Sequence, residues 1–253
     1  MIYTYSEWNG FKRADFKFEE RDALIVFPKS EKNGKWMMKM EYFNAFPILE
    51  IELLNRGWCL LYLKNKNRWG TDDDSDAKAR FADFVADEFG LENRFVCIGM
   101  SCGGICSVNF AARYPNKVSV LYLDAPVMNF LSFPLGFGRD YCKEQRENVW
   151  PEVVAAYGFD IPTILTWRGH PMDKLPILLE HKIPVAMVYG DSDTVVPYEE
   201  NGIVLEKFYK EHGLPLFLEG KAGCGHHPHC LENCGPVADF IEAHSALRSK
   251  ENN

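Results

Sequence analysis

Short apolar segments with high β-propensity alternate along the chain with longer segments whose apolar residues recur at helical spacing. Most of the short segments are apolar throughout, as expected of strands that are covered on both faces. Alternation at this spacing requires right-handed crossovers and a mostly parallel sheet. We therefore predict an α/β fold with a mostly parallel, doubly wound sheet flanked by helices. The predicted strands are 23–27, 58–63, 95–99, 118–123, 185–190 and 216–219.

The predicted helices lie between these strands, and several end where the chain offers a helix stop. Glycine favours the position just after a helix, and proline cannot continue one. The second helix is predicted to start at Ser75 or Asp76 as N-cap, so that the acidic run 72–76 begins as a solvated loop. Segment 13–26 is predicted to hold an antiparallel hairpin at one sheet edge. The stops are Gly57, Gly90, Pro115 and Gly213.

The alternation is interrupted once, between residues 126 and 183. This segment has no convincing strand but contains prolines, aromatic residues and the amphipathic run 139–158. We predict a helical, lid-like insertion after the sixth strand, within a single domain spanning 1–253. An ordinary pair of packing helices is the alternative.

Composition excludes several classes of function. The net charge of −8 over 253 residues argues against a nucleic-acid-binding surface, which requires a concentrated basic face. Neither a signal peptide nor an apolar run of about 20 residues is evident, so we expect a cytoplasmic protein with no membrane partner. In that reducing compartment the eight cysteines are expected to form no disulfides. The expected partner is a small-molecule substrate, and no pattern indicates an oligomeric state.

Residues 99–103, Gly-Met-Ser-Cys-Gly, place two nucleophilic side chains side by side between a predicted strand and a predicted helix. A nucleophile on such a turn sits on a strained backbone, and the positions two residues before and after it must be small. If Ser101 is the nucleophile, both of these positions are glycine, whereas if Cys102 is the nucleophile, one of them is Met100. The pattern therefore predicts Ser101 as the nucleophile. The backbone N–H of Cys102, at a helix N-terminus, is the predicted oxyanion donor.

A serine nucleophile needs a base and an acid that orients the base, in the chain order Ser, Asp, His on this kind of fold. The strand at 185–190 is followed by Asp191 and Asp193. We favour Asp193 as the acid, with Asp191 bracing the turn as the alternative assignment. A glycine-rich loop after the last strand carries the base. His226 is preferred there, His227 is the runner-up and His229 is third.

The same loop raises a competing interpretation as a metal cluster, formed by Cys224, His226, His227, His229, Cys230 and Cys234. Structural zinc sites usually pair two short ligand knuckles, and no second knuckle is evident elsewhere in the sequence. A metal here would also consume the histidine that the serine needs. We therefore predict no metal site and no organic cofactor.

The stretches GMSCGG, ARYPNKVSVLYLDAP, GDSDTVVP and GHHPH together resemble the α/β-hydrolase superfamily, in particular small bacterial esterase-like and prolyl-oligopeptidase-like serine hydrolases. The resemblance implies a Ser101–His226–Asp193 triad with the Cys102 N–H as one oxyanion donor. It also implies a second donor after the strand at 23–27. Pro28 cannot donate there, so the donor is predicted further along, at Trp36 or Met37.

Four further residues are candidates for contact with substrate. Arg68 and Trp69 follow the strand at 58–63 and should reach the sheet edge that carries the serine. Trp150 and Trp167, in the insertion, could line an acyl or sugar pocket, although packing is the alternative for each tryptophan. The predicted function is hydrolysis of a small acyl or carbohydrate ester through an acyl-enzyme. The alternatives are a peptidase of the prolyl-oligopeptidase-like type and a non-catalytic binding protein of the same fold.

Overall fold

A computed structural model describes residues 1–138 and 143–250, and nine strands within this part of the chain form one sheet. The first three strands and β5 pair antiparallel, and every later pairing is parallel. Their order across the sheet is β1-β2-β3-β5-β4-β6-β7-β8-β9, which confirms the predicted fold class. The strands are β1 (Thr4–Trp8), β2 (Phe11–Phe18), β3 (Arg21–Val26), β4 (Trp36–Lys39), β5 (Cys59–Leu63), β6 (Phe95–Met100), β7 (Val118–Asp124), β8 (Val185–Gly190) and β9 (Leu216–Lys221).

Helices cover both faces of the sheet, as a doubly wound architecture requires. On one face α1 and α8 pack through Leu53 and Ile241, and on the other α2, α3, α6 and α7 pack through residues such as Phe81 and Leu205. Both faces of the parallel strands are therefore buried, which explains their continuous apolar sequences. The helices are α1 (Ile48–Asn55), α2 (Asp72–Phe89), α3 (Cys102–Arg113), α4 (Lys143–Tyr157), α5 (Ile161–Thr166), α6 (Leu175–Glu180), α7 (Gly202–Glu211) and α8 (Gly235–Lys250).

The strand β4 was not predicted from the sequence, and it lies in the middle of the sheet between β5 and β6. It is only four residues long, and its last residue is a lysine. The ammonium of Lys39 is fully buried, where it donates to the carbonyl oxygen of Ala45 at 3.0 Å and pairs with the carboxylate of Glu50. A lysine in a sequence pattern indicates a solvent-exposed position, and the sequence does not show its buried partner on α1. The strand was therefore missed.

The conformation of the acidic run 72–76 also differs from the prediction. The helix begins at Asp72, with Thr71 as N-cap, so the run forms its first turns. Carboxylates are favourable there because they face the positive end of the helix dipole. Asp74 is 2% exposed, pairs with Arg21 and accepts the N–H of Lys66 at 2.8 Å. The prediction of a solvated loop was therefore wrong.

The segment 126–183 follows β7, the seventh strand once the unpredicted strands are counted. The predicted amphipathic run 139–158 begins at residues 139–142, which lie outside the described residues, and continues as α4. A third apolar cluster joins this segment to the start of α3 through Phe130, Val153 and Ile105. The seven cysteines within the described residues are free thiols, and Cys142 lies outside them. None of the described helices is long and apolar enough to cross a membrane.

Candidate active site

Ser101 occupies the sharp turn between β6 and α3, with φ of +53° and ψ of −121°. A non-glycine residue rarely adopts this φ, and such strain clusters at functional sites. Three backbone hydrogen bonds hold the turn. The N–H of Ser101 donates to the carbonyl oxygen of Asp124 at 2.9 Å, and its own carbonyl accepts from Gly104 at 2.9 Å and from Val127 at 3.1 Å.

The glycines around this turn differ in how much room they leave for a side chain. A Cβ on Gly99 would lie 2.2 Å from the carbonyl oxygen of Gly103 and 2.3 Å from Oγ of Ser107, so position 99 excludes every side chain. A Cβ on Gly103 would meet nothing closer than 3.5 Å. The requirement for a small residue is therefore strict at Gly99, whereas position 103 leaves room for a Cβ. Gly104 is instead close-packed, because a Cβ there would lie 2.5 Å from Cβ of Pro126.

The structure brings Ser101, His226 and Asp193 into one hydrogen-bonded chain. Nε2 of His226 lies 3.0 Å from Oγ of Ser101, and Nδ1 of the same ring lies 2.7 Å from Oδ2 of Asp193. The His226 and Asp193 side chains are 7% and 1% exposed, so bulk water does not screen their contact. If Nδ1–H donates to Asp193, then Nε2 carries the lone pair that can accept the serine proton.

The two aspartates after β8 make different hydrogen bonds. The other carboxylate oxygen of Asp193 accepts the N–H groups of Val195 at 2.8 Å and Val196 at 2.9 Å, which fixes the side chain toward His226. Asp191 is exposed and accepts the N–H of Gly223 at 2.7 Å. It therefore links the turn after β8 to the loop after β9 and makes no hydrogen bond to His226.

The other two histidines of the loop lie beside His226. His229 is 3% exposed, and its Nδ1 lies 2.8 Å from Oδ1 of Asp124, at the end of β7. Burial opposes the charge on Asp124, but its hydrogen bonds to His229 and to the N–H of Cys230 and the charge of nearby Lys221 hold the pKa of that carboxyl below its usual range. His227 is exposed, and its ring stacks on Phe46 with the centroids 5.6 Å apart. Asp124 was not among the residues singled out from the sequence.

Cys102 is the first residue of α3, so its N–H has no acceptor one turn earlier in the helix. Its side chain is 1% exposed. Burial raises the pKa of this thiol to about 11, which keeps it protonated and non-nucleophilic near neutral pH. Of these two neighbouring side chains, the hydroxyl of Ser101 is the one that is hydrogen-bonded to a histidine.

The predicted second oxyanion donors, Trp36 and Met37, are excluded by their place in the fold. Both are fully buried in β4, where Met37 pairs with strands on either side. The residues that immediately follow this strand reach the site instead. The backbone nitrogen of Glu41 lies 3.7 Å from where a Cβ of Gly103 would be, and Tyr42 lines the cavity next to Ser101. The prediction failed because it started from β3 rather than from the unrecognised β4.

Tyr42 has a hydroxyl group and lines the cavity next to Ser101. The guanidinium of Arg68 donates to its oxygen at 3.2 Å, and the hydroxyl itself lies within hydrogen-bond reach of the thiol of Cys102. Burial raises the pKa of Tyr42, so the hydroxyl remains protonated.

A cavity of about 350 Å³ opens onto Ser101. Of the four predicted substrate contacts, Arg68 alone lines it, and its guanidinium is held by Glu152 of α4 at 2.7 and 2.9 Å. The three tryptophans instead pack in the apolar cluster between the insertion and α3. Trp69 is fully buried, Trp167 stacks on Phe130 and Trp150 packs against the same cluster, so none of the three lines the cavity. The cavity is lined by Tyr42, Ala45, Phe46, Arg68, Met100, Ser101, Phe133, Val195, His226, His227 and His229.

Solved structures share this architecture over nearly the whole chain, whereas no protein-family model and no curated protein matches the sequence. Est1E from Butyrivibrio proteoclasticus is 17% identical, with a TM-score of 0.61 and coverage of 98% of this chain and 99% of that one. This chain has an α/β-hydrolase fold. An acetyl ester-xyloside bifunctional hydrolase from Caldicellulosiruptor lactoaceticus has the same fold, at 16% identity and a TM-score of 0.61 over 91% of this chain and 86% of that one.

Larger proteins contain the α/β-hydrolase fold as one part. A puromycin-hydrolyzing peptidase of Mycobacterium tuberculosis matches 91% of this chain at 15% identity with a TM-score of 0.61. This chain spans only 38% of that peptidase's length.

Proposed function

We propose that this protein is a serine hydrolase that cleaves a small carboxylic ester, an acyl or carbohydrate ester, through an acyl-enzyme intermediate. One observation carries the proposal: the hydrogen-bonded chain from Ser101 through His226 to Asp193, at the mouth of a cavity. Nucleophile and base within hydrogen-bond reach, with the base oriented by a third group, are the arrangement that activates a serine hydroxyl.

The proposed reaction begins with the attack of Oγ of Ser101 on the ester carbonyl while Nε2 of His226 takes its proton. Asp193 holds the imidazole in the required tautomer and stabilises the imidazolium that forms. The imidazolium then protonates the departing alcohol, which leaves an ester on Ser101. A water molecule attacks this ester with His226 again as the base, and the acid product departs.

The developing oxyanion needs donors that are already in place. The N–H of Cys102 is one, because it lies at the start of α3 directly after the nucleophile. We assign the hydroxyl of Tyr42 as the second. Tyr42 lines the cavity and its oxygen accepts a hydrogen bond from Arg68, so its hydroxyl would only have to turn from the thiol of Cys102 to donate to the substrate.

The size of the site supports a small ester over a peptide. A volume of about 350 Å³ is at the low end of the range of ligand pockets. The hydrolase from Caldicellulosiruptor lactoaceticus, whose name specifies an acetyl ester, is matched over 86% of its length, whereas the peptidase is matched over 38%.

The decisive experiment compares the parent protein with Ser101→Ala on p-nitrophenyl acetate and on acetylated sugars. We expect the parent to hydrolyse an ester and Ser101→Ala to lose that turnover at an unchanged thermal unfolding midpoint. A fluorophosphonate probe should label the parent and not the variant. Turnover that survives in Ser101→Ala would refute the assignment of the nucleophile, and a parent that resists labelling would favour a non-catalytic binding protein.

A further inference from the structure

Three imidazole rings surround the mouth of the cavity. One ring nitrogen each from His226, His227 and His229 lies within 4.8 Å of such a nitrogen on both other rings. The ring centroids form a triangle with sides of 4.9 Å, and the ring planes cross at 63°, 80° and 89°. The three nitrogens are therefore close enough for one ion to draw them together.

A carboxylate holds each of the two most buried rings. The Nδ1 atoms of His226 and His229 lie 2.7 and 2.8 Å from the carboxylates of Asp193 and Asp124. In the neutral rings these contacts hold the proton on Nδ1 and leave the lone pair on Nε2. A carboxylate behind a ligating histidine fixes the ring and raises its basicity in many zinc sites.

His227 would complete the set from the solvent side. Its ring is exposed, which gives an ion a route to the site, and Phe46 supports the ring from one face. An ion can therefore reach this third imidazole directly from solvent.

We propose that His226, His227 and His229 form a binding site for one Zn²⁺ ion, and that zinc bound there inhibits the enzyme reversibly. Zinc binds imidazole nitrogen at about 2.0–2.1 Å in tetrahedral geometry, which separates the three nitrogens by about 3.4 Å. Each ring nitrogen would have to move inward by about 0.8 Å at most. The fourth position then faces the hydroxyl of Ser101, which lies 3.0 Å from Nε2 of His226.

The inhibition follows from the ring nitrogen that zinc would bind. Zinc would bind the lone pair of Nε2 on His226, the same pair that accepts the proton of Ser101. The three ligands bind as neutral rings, so no proton or electron is lost and removal of the ion restores the free base. The metal would thus be an inhibitor and not a cofactor. This inhibition depends on the proposed function, whereas the binding of the ion does not.

Binding is tested directly on the full-length, chelator-stripped protein with Co²⁺ as a spectroscopic probe and Zn²⁺ as its competitor. We expect one equivalent of Co²⁺ with the intense visible bands of tetrahedral coordination, displaced by one equivalent of Zn²⁺. His227→Gln should weaken the affinity for zinc at least about tenfold. His212→Gln, which changes an exposed histidine bonded to its own helix, should leave that affinity unchanged.

Two outcomes of the binding experiment would overturn the site. One is a His227→Gln variant that binds zinc as tightly as the parent. The other is a near-ultraviolet thiolate-to-cobalt band, which would place the metal on the neighbouring cysteines.

Inhibition is tested by titrating Zn²⁺ into an ester assay and adding a chelator afterwards. The zinc concentration for half inhibition should rise at least about tenfold in His227→Gln, relative to that variant's own zinc-free rate. Zinc that binds to the parent without slowing its turnover would refute the inhibition. Ser101→Ala should still bind one Co²⁺, so a failure of the proposed hydrolase activity and a failure of the metal site give different results.

Discussion

Replacement of Asp193 by asparagine should move the proton on His226 while leaving the shape of the site intact. Oδ1 of Asp193 accepts N–H groups from Val195 and Val196 at 2.8 and 2.9 Å. An amide NH₂ cannot face two N–H donors, so the asparagine oxygen must keep that place. Its NH₂ group then points at Nδ1 of His226, where it donates, and the ring is held as the Nε2–H tautomer.

An Nε2–H ring donates to the hydroxyl of Ser101 and cannot take its proton. The corresponding change in serine proteases lowers kcat about 10⁴-fold with the geometry preserved. That factor corresponds to about 5.5 kcal/mol of transition-state stabilisation. We expect a loss of this order in Asp193→Asn for the hydrolysis of p-nitrophenyl acetate, with little change in KM. The thermal unfolding midpoint of the same sample shows whether the fold is retained.

Asp191→Asn is the matched control, two residues away in the same loop. Its carboxylate is exposed and accepts the N–H of Gly223, with no contact to His226. We expect its kcat to stay within tenfold of the parent. A folded Asp193→Asn with kcat within tenfold of the parent would refute the tautomer argument, and a larger loss in Asp191→Asn would reverse the assignment of the acid.

Three further changes test the rest of the site. Tyr42→Phe should lower kcat about 100-fold at similar KM, and a parent-like kcat would exclude its hydroxyl as an oxyanion donor. Cys102→Ala should retain kcat within a few-fold because the backbone N–H remains, whereas a loss like that of Ser101→Ala would give the thiol a chemical role. By urea unfolding, Gly99→Ala should destabilise the protein by at least about 2 kcal/mol and Gly103→Ala by less than about 1 kcal/mol. Equal costs would contradict the packing at this turn.

The sequence predicted best what short stretches of chain determine. The continuous apolar runs located the parallel strands because both faces of this sheet are covered. The serine, acid and base lie on turns directly after such strands, so finding the strands also located Ser101, Asp193 and His226. The prediction of these three residues needed no knowledge of the fold beyond the rule that the carboxyl ends of parallel strands meet at one edge.

The features that the sequence did not predict depend on contacts between distant segments. The strand β4 ends in Lys39, which is buried only because Glu50 reaches it from α1. Asp124 reads as an ordinary strand end, and its partner His229 lies 105 positions later. Its place at the end of β7, the strand next to β6, is a signal that could have identified it. Trp69 was expected at the cavity because it follows β5, but residues of the segment 126–183 cover it.

The backbone bond from Val127 to the carbonyl of Ser101 limits how the segment after β7 can move. That segment begins with residues 126 and 127, and the second of them donates at 3.1 Å to the nucleophile's own peptide unit. Pro126 is also packed against Gly104 at the start of α3. A shift of residues 126 and 127 would therefore also move the peptide unit of Ser101. These two residues thus hold the turn between β6 and α3 in place from the far side of β7.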